Sequence, residues 1–210
     1  MERFTIQKND FLSHDCTGYF HLYYVGYGQP GNPDYLNTLK NIFVSMHPDT
    51  LRAASRQAAA LMIQDIPQVM DAEGLNEAIL MAVPRSKSGM CNWQLGFKAA
   101  VRTAVKALQA DNLPVIDGTD FIFRHTSTKM THLRKPVSNF ENTGSEPYPG
   151  ITKDTCDIQN KSIKGRTIIL IDDIYTKTVN VDEDCIQALY DAGAARVVFY
   201  AVAYTNRNAY

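Results

Sequence analysis

Residues 167–180 read Thr167-Ile168-Ile169-Leu170-Ile171-Asp172-Asp173-Ile174-Tyr175-Thr176-Lys177-Thr178-Val179-Asn180. An apolar run ends on two adjacent carboxylates and passes into a polar loop. The run predicts a strand over 167–171. Residues 182–191 then predict a helix, Gly193 closes it, and residues 195–203 return as a second apolar strand. Strand, loop, helix and strand in that order form one unit of a parallel α/β sheet.

The same pattern occurs upstream. Ala78-Ile79-Leu80-Met81-Ala82-Val83 shows no polar alternation, as expected of a central strand covered on both faces, and stops at Pro84-Arg85-Ser86-Lys87-Ser88-Gly89. A helix over 92–109 follows, with Trp93, Phe97, Val101, Val105 and Leu108 on one face as a core stripe. Short strands are expected at 113–117 and 121–123. Nearer the N-terminus, helices are expected over 35–44 and 49–63, the second capped by Asp49, with a strand inside the Tyr- and Gly-rich residues 18–28. Residues 124–160 read as mostly loop with some helix, a length that compact domains reserve for functional or mobile segments.

In an open α/β sheet, ligands bind beyond the carboxyl ends of the strands. Two loops leave such ends with polar cargo, residues 85–89 and 172–180. Adjacent Asp172 and Asp173 are costly unless donors or a cation meet them. A sugar diol would offer donors to both. Hydroxyls and amides of residues 175–180, at the mouth of a helix, suit a phosphate, with Lys177 adding charge. A plainer arrangement stays open, in which Asp173 caps a turn and Asp172 pairs with a basic neighbour.

Residues 168–180 resemble the phosphoribosyl-diphosphate motif of the type I phosphoribosyltransferases. The resemblance implies an α/β fold of that type in a single domain over 1–210: a central, mainly parallel sheet flanked by helices, a small hood from residues 1–35 and other peripheral segments, and a flexible lid over about 124–160. It implies that Asp172 and Asp173 hold the ribose hydroxyls and that Thr176, Lys177, Thr178, Val179 and Asn180 wrap the 5-phosphate. Arg85, Ser86, Lys87, Ser88 and Gly89 would bind diphosphate, with Arg85 and Lys87 neutralising the leaving group and a strained or cis peptide in that loop. Residues 125–136 loosely resemble the lid of the ComF-type, competence-associated members, with Arg134 and Asn139 as counterparts. Arg124, Lys129, Arg134 and Lys135 would then close over diphosphate and exclude water.

The activity so implied is Mg²⁺-dependent transfer of ribose 5-phosphate from phosphoribosyl diphosphate to a nitrogenous small-molecule acceptor, with release of diphosphate, by a homodimer. No side chain is expected to bind Mg²⁺ directly; Asp172 and Asp173 would touch its water shell. Tyr19, Tyr23, Tyr24 and Tyr27, or the segment after Tyr175, are the candidates for acceptor recognition. Two departures stand out. Thr178 replaces the family's usual glycine, and Asn180 replaces a frequent threonine. Threonine avoids left-handed backbone, so the loop keeps an ordinary conformation there or binds phosphate differently. That substitution favours a second reading, a regulatory protein that binds a phosphoribosyl compound or nucleotide without turnover.

Composition narrows the classes. The 210 residues carry 21 Lys and Arg against 22 Asp and Glu, a net charge of -1, which rules out a global basic field for nucleic acid and leaves only the basic stretch near 124–135 for such a partner. Hydrophobic residues make up 45% and charged residues 20%, as in ordinary globular chains and not in disordered ones. No apolar run reaches the roughly 20 residues of a membrane span, and Met1-Glu2-Arg3-Phe4 lacks a secretory signal's apolar stretch, so no membrane association and a cytoplasmic location are expected. Cys16, Cys91, Cys156 and Cys185 show no paired spacing of a thiolate metal cluster. His14 with His21, and His125 with His132, lack the third ligand a zinc site needs.

Overall fold

The computed structural model describes residues 1–26, 29–40, 47–131 and 141–206, apart from the side chains of Asn92 and Trp93. In chain order the elements are β1 (Glu2–Ile6), β2 (Cys16–Tyr24), α1 (Asp34–Lys40), α2 (Pro48–Ala72), β3 (Ala78–Ala82), a 3₁₀ turn (Asn92–Leu95) leading into α3 (Gly96–Ala110), β4 (Val115–Asp117), β5 (Ile122–Arg124), β6 (Cys156–Ile158), α4 (Asn160–Ile163), β7 (Thr167–Tyr175), α5 (Val181–Asp191) and β8 (Arg196–Thr205).

Six strands form one sheet in the order β1-β2-β8-β7-β3-β4. The β1–β2 pairing is antiparallel and the other four are parallel. This is the mixed α/β architecture expected, with a mainly parallel central sheet flanked by helices. Strands β5 and β6 pair separately as an antiparallel ribbon. Among the described residues no helix is long and apolar enough to cross a membrane.

The pleat of β7 explains the layering, because successive side chains point to opposite faces. Ile169 and Ile171 pack with Met62 and Ile66 of α2 and with Phe97 and Val101 of α3. Ile168 and Leu170 pack on the other face with Cys185, Ile186 and Leu189 of α5. All four β7 side chains are fully buried, each worth about 1.5–3 kcal/mol of apolar transfer. The α3 stripe of Phe97, Val101, Val105 and Leu108 is buried as its spacing requires. Trp93, placed in the same stripe, has its side chain outside the described residues.

Three sequence expectations are corrected. The helix expected over 49–63 is Pro48–Ala72, and it continues through Pro67. A proline removes one helical hydrogen bond, but Ile66 directly before it and Val69 and Met70 beyond it are buried and hold the helix together. Its N-cap is His47, whose Nδ1 accepts from the Asp49 amide, so Asp49 lies inside the first turn. Second, residues read as a hood supply β1 and β2, and Gly18 to Tyr24 pair with Phe199 to Thr205 in the main sheet. Aromatic side chains without a clean alternation concealed that role. Third, β7 runs four residues past Ile171 to Tyr175, so Asp172 and Asp173 lie inside a strand.

Candidate active site

Registers Ala82↔Ile171 and Asp172↔Ala201 set the carboxyl ends of β3, β7 and β8 side by side. A cavity of about 350 Å³ opens there. Its wall includes Arg85, Ser86, Lys87 and Gly89 from the loop after β3, Asp172, Asp173, Thr176 and Val179 from β7 and its loop, Arg124 from the end of β5, and Lys129 from the segment after it. The two loops singled out in the sequence therefore meet at one site. Ser88, Lys177, Thr178 and Asn180 do not line it.

Because Asp172 and Asp173 are strand residues, the pleat sends their carboxyls to opposite faces. Asp173 is buried on the α1 face, where Lys40 Nζ lies 3.5 Å and Arg85 Nη1 3.7 Å from its oxygens. Asp172, half-buried, meets Asp182 of α5 on the other face. The plainer arrangement expected from sequence is not the one found: Asp173 lies inside a strand and pairs with basic neighbours, and Asp172 does not. Burial pushes the Asp172 carboxyl well above the carboxylate range, and the neighbouring Asp173 adds to that. Asp182 is likewise raised, first by burial and then by Asp172.

The loop after β3 is built from internal bonds. Arg85 Nη2 donates to Leu39 O at 2.6 Å. Lys87 Nζ donates to Thr128 O at 2.9 Å and to Thr143 O, and burial lowers its pKa. The Ser88 amide donates to Ser127 Oγ at 3.1 Å. Gly89 sits at φ 66°, which a side chain would strain. No cis peptide lies in this loop; among the described residues the cis bond is Tyr148–Pro149.

The flanks of the expected lid are fastened to that same loop. The Thr128 amide donates to Ser86 O at 2.7 Å, and the Met130 amide to Asn142 Oδ1 at 2.7 Å. Arg124, expected as a lid cation, is a buried strand residue whose guanidinium donates to Arg85 O at 2.5 Å and Gly150 O at 3.1 Å. Lys129 lines the cavity and pairs with Glu146. Arg134, Lys135, His132 and Asn139 lie outside the described residues, as does Tyr27.

In the loop after β7, Thr178 has ordinary negative φ, since Asn112 is the non-glycine residue with positive φ among those described. Thr176 Oγ1 shares a hydrogen bond with Thr205 Oγ1 at 2.7 Å, and the Val179 amide donates to Thr176 O at 2.8 Å. Asn180 Oδ1 accepts from Asn9 Nδ2 at 3.2 Å. The first turn of α5 carries Asp182, Glu183 and Asp184, all buried. Glu183 accepts from Tyr175 Oη at 2.9 Å, and Asp184 from the amides of Gly150 and Ile151 at 2.7 and 2.9 Å. These three acidic residues stand in the first turn of α5, the positive end of the helix dipole.

Sequence reasoning missed Lys40, Asp182 and the apolar end of the cavity, where Met90, Phe123 and Met130 stand. Phe123 is 61% exposed, unusual for a large aromatic. The run Asp182-Glu183-Asp184 was the available signal for a cluster of acidic side chains at the start of α5. Tyr19, Tyr23 and Tyr24, candidates for stacking on an acceptor, do not line the cavity; their hydroxyls donate to Glu73, Glu2 and Asn37.

No family model matches the chain, and no curated protein matches it. A solved structure described as the allosteric regulatory enzyme of purine biosynthesis is similar over 70% of this chain at 12% identity, with a TM-score of 0.36. The matched region spans 25% of that longer protein.

Proposed function

We propose that the cavity binds a phosphorylated ribose and that the protein is a phosphoribosyltransferase acting on phosphoribosyl diphosphate. One observation supports this above the others: the loop 85–89 and the pair Asp172–Asp173, separated by more than eighty residues of sequence, border the same cavity at the carboxyl ends of β3 and β7. That is where an α/β sheet binds ligands.

In this reading Asp172 accepts from a ribose hydroxyl, and Asp173 orients Arg85 and Lys40 toward the anionic part of the ligand. Amides of Ser86 and Gly89 face the diphosphate. Met90, Phe123 and Met130 offer an apolar wall to the acceptor. Positive charge near the leaving oxygens stabilises the expanding charge of an oxocarbenium-like transition state. Mg²⁺ suits a diphosphate because it prefers phosphate oxygens and retains water, and it would supply further neutralisation of the leaving group. Among the described residues no three His, Cys, Asp or Glu side chains are placed to hold one ion. Asp173 is engaged by Lys40 and Arg85, so contact with a ligand-borne ion would run through water.

Binding without turnover is the second reading, favoured by a specific feature. Lys87 donates to two backbone carbonyls and Arg85 to Asp173 and Leu39, so both cations are engaged before any diphosphate arrives. Calorimetric titration with phosphoribosyl diphosphate and Mg²⁺, followed by diphosphate-release assays over a panel of nitrogenous bases, separates the two. Binding with release supports the transferase; binding without release for any base supports the regulator. Absence of binding, with Asp172→Asn and Asp173→Asn behaving as the parent, removes both.

A further inference from the structure

Asp182 is not part of the motif that drew attention to Asp172 and Asp173. It stands at the second position of α5, only 3% exposed, and it borders the cavity. Its carboxyl is in hydrogen-bonding contact with that of Asp172. Its Oδ1 is buried with no partner. Among the described residues neither Asp172 nor Asp182 forms an ion pair; the cations on this part of the cavity, Lys40 and Arg85, are spent on Asp173 from the opposite face. Two carboxyl groups in contact, with no cation between them, cannot both be ionised at ordinary cost.

We propose that Asp172 and Asp182 share one proton, and that Asp182 is a positioning residue that holds Asp172 in a half-neutral pair at the ligand end of the cavity. Of the remaining charged and titratable groups around the pair, the acidic ones favour retention of the proton and Lys40 opposes it. Asp173 on β7 and Glu183 on α5 are acidic, while Tyr175 and Cys185 are neutral and pushed upward by burial. Lys40 of α1 is the cation that acts on Asp172, and Arg85 from the loop after β3 reaches Asp173 alone. A pair with one proton presents both a donor and an acceptor, which matches hydroxyl groups. It also spares an anionic ligand a second carboxylate. When the pair ionises fully, its proton goes to solvent and the cavity gains one negative charge. Uptake of a phosphate ester is then linked to one proton, and its affinity falls about tenfold per pH unit above that ionisation.

The shared proton stands on the carboxyl geometry alone, whereas its effect on ligand binding rests on the sugar-phosphate reading. The test is a ¹³C NMR titration of protein labelled at the aspartate carboxyl carbons, between pH 4 and 9, on the parent and on Asp182→Asn and Asp172→Asn. The expected result is a carboxyl in the parent that completes ionisation only above neutral pH, and loss of that late step in both variants. If every aspartate resonance finishes titrating below pH 6 in the folded parent, or if the late step survives in both variants, the proposal is overturned. Calorimetry with ribose 5-phosphate forms the second arm. Above the pH of the late step the parent's affinity should fall tenfold per unit, and Asp182→Asn, whose amide imitates the protonated acid, should show a flat profile. Binding that ignores pH in the parent contradicts the linkage. A late step in the NMR titration without any ribose 5-phosphate binding upholds the shared proton and removes the sugar-phosphate reading.

Discussion

Arg124 on β5 donates its Nε hydrogen to the carbonyl oxygen of Arg85, 2.5 Å away, and so ties the loop that follows β3 to the two-stranded ribbon. Its Nη1 reaches Gly150 O, and Gly150 in turn donates to Asp184 of α5. One buried guanidinium therefore links the ribbon to the loop after β3 and, through Gly150, to α5. Arg124→Ala leaves the Arg85 carbonyl without this donor and Gly150 O with Thr155 Oγ1 alone, and the expected loss of stability is about 1–3 kcal/mol. Arg124→Lys recovers only part of it, because a lysine cannot fork to both acceptors. Urea denaturation checks this; an unchanged midpoint for Arg124→Ala would show that the link contributes nothing.

Asp173 is expected to matter more for stability than either of its cations. Its carboxylate is buried, while Lys40 and Arg85 keep part of their side chains in water. Asp173→Asn leaves two positive groups facing each other, at a cost of about 3 kcal/mol. Lys40→Ala, which leaves Arg85 in place, should cost about 1 kcal/mol or less. Thermal melts of the two variants under one buffer give the comparison, and equal losses would contradict the assignment.

The carboxyls of Asp172 and Asp182 also predict a direction for stability against pH. Both have folded pKa values raised above the unfolded value, mainly by burial. The folded state therefore binds more protons than the unfolded state between those two values, and this contribution to stability is present at acid pH and lost as pH rises. Asp182→Asn removes much of that loss. Relative to the parent it should gain stability from pH 5 to pH 8, by on the order of 2 kcal/mol. Denaturation midpoints across that range would show it, and a constant difference between the proteins would not fit.

Gly118 follows β4 and its amide donates to Leu80 O of β3 at 3.0 Å. A Cβ there would lie 2.7 Å from Met81 Cγ, closer still to Ile79 Cγ2, and 3.1 Å from the backbone oxygen of Leu80. Gly118→Ala thus forces β3 to move, and overpacking of this kind costs about 1–3 kcal/mol. Because β3 leads directly into the 84–89 loop, affinity for phosphoribosyl diphosphate should fall with stability. The two are measured by melting and by calorimetry, and a variant as stable as the parent would show that β3 accommodates the methyl group.

Legibility in the sequence varied with the kind of interaction. The buried runs at β3, β7 and β8 and the stripe of α3 were readable because a residue covered on both faces, or on one face of a helix, leaves its period in the chain. Strand β6 was not, because Cys156-Asp157-Ile158 is three residues long and gains its pairing from Ile122, Phe123 and Arg124 far upstream. A strand was expected inside residues 18–28 and β2 is there, but β1 and the place of both in the main sheet were missed for a related reason. Phe4 and Phe20 contact Tyr204, and Phe4 also Tyr175 and Phe199, and such ring packing carries no period.

By itself the sequence determined that this chain builds a parallel α/β sheet and that two polar loops follow its central strands. Periodicity and abrupt changes from apolar to polar residues are local properties. Only the tertiary structure decided what each polar side chain does. The pleat turned Asp172 and Asp173 to opposite faces, where Asp182 met one and Lys40 and Arg85 the other. Arg124, a lid cation by position in the chain, became a buried strut because the ribbon carried it inward. Charge partners are chosen by distance through space, and nothing in their order along the chain records that choice.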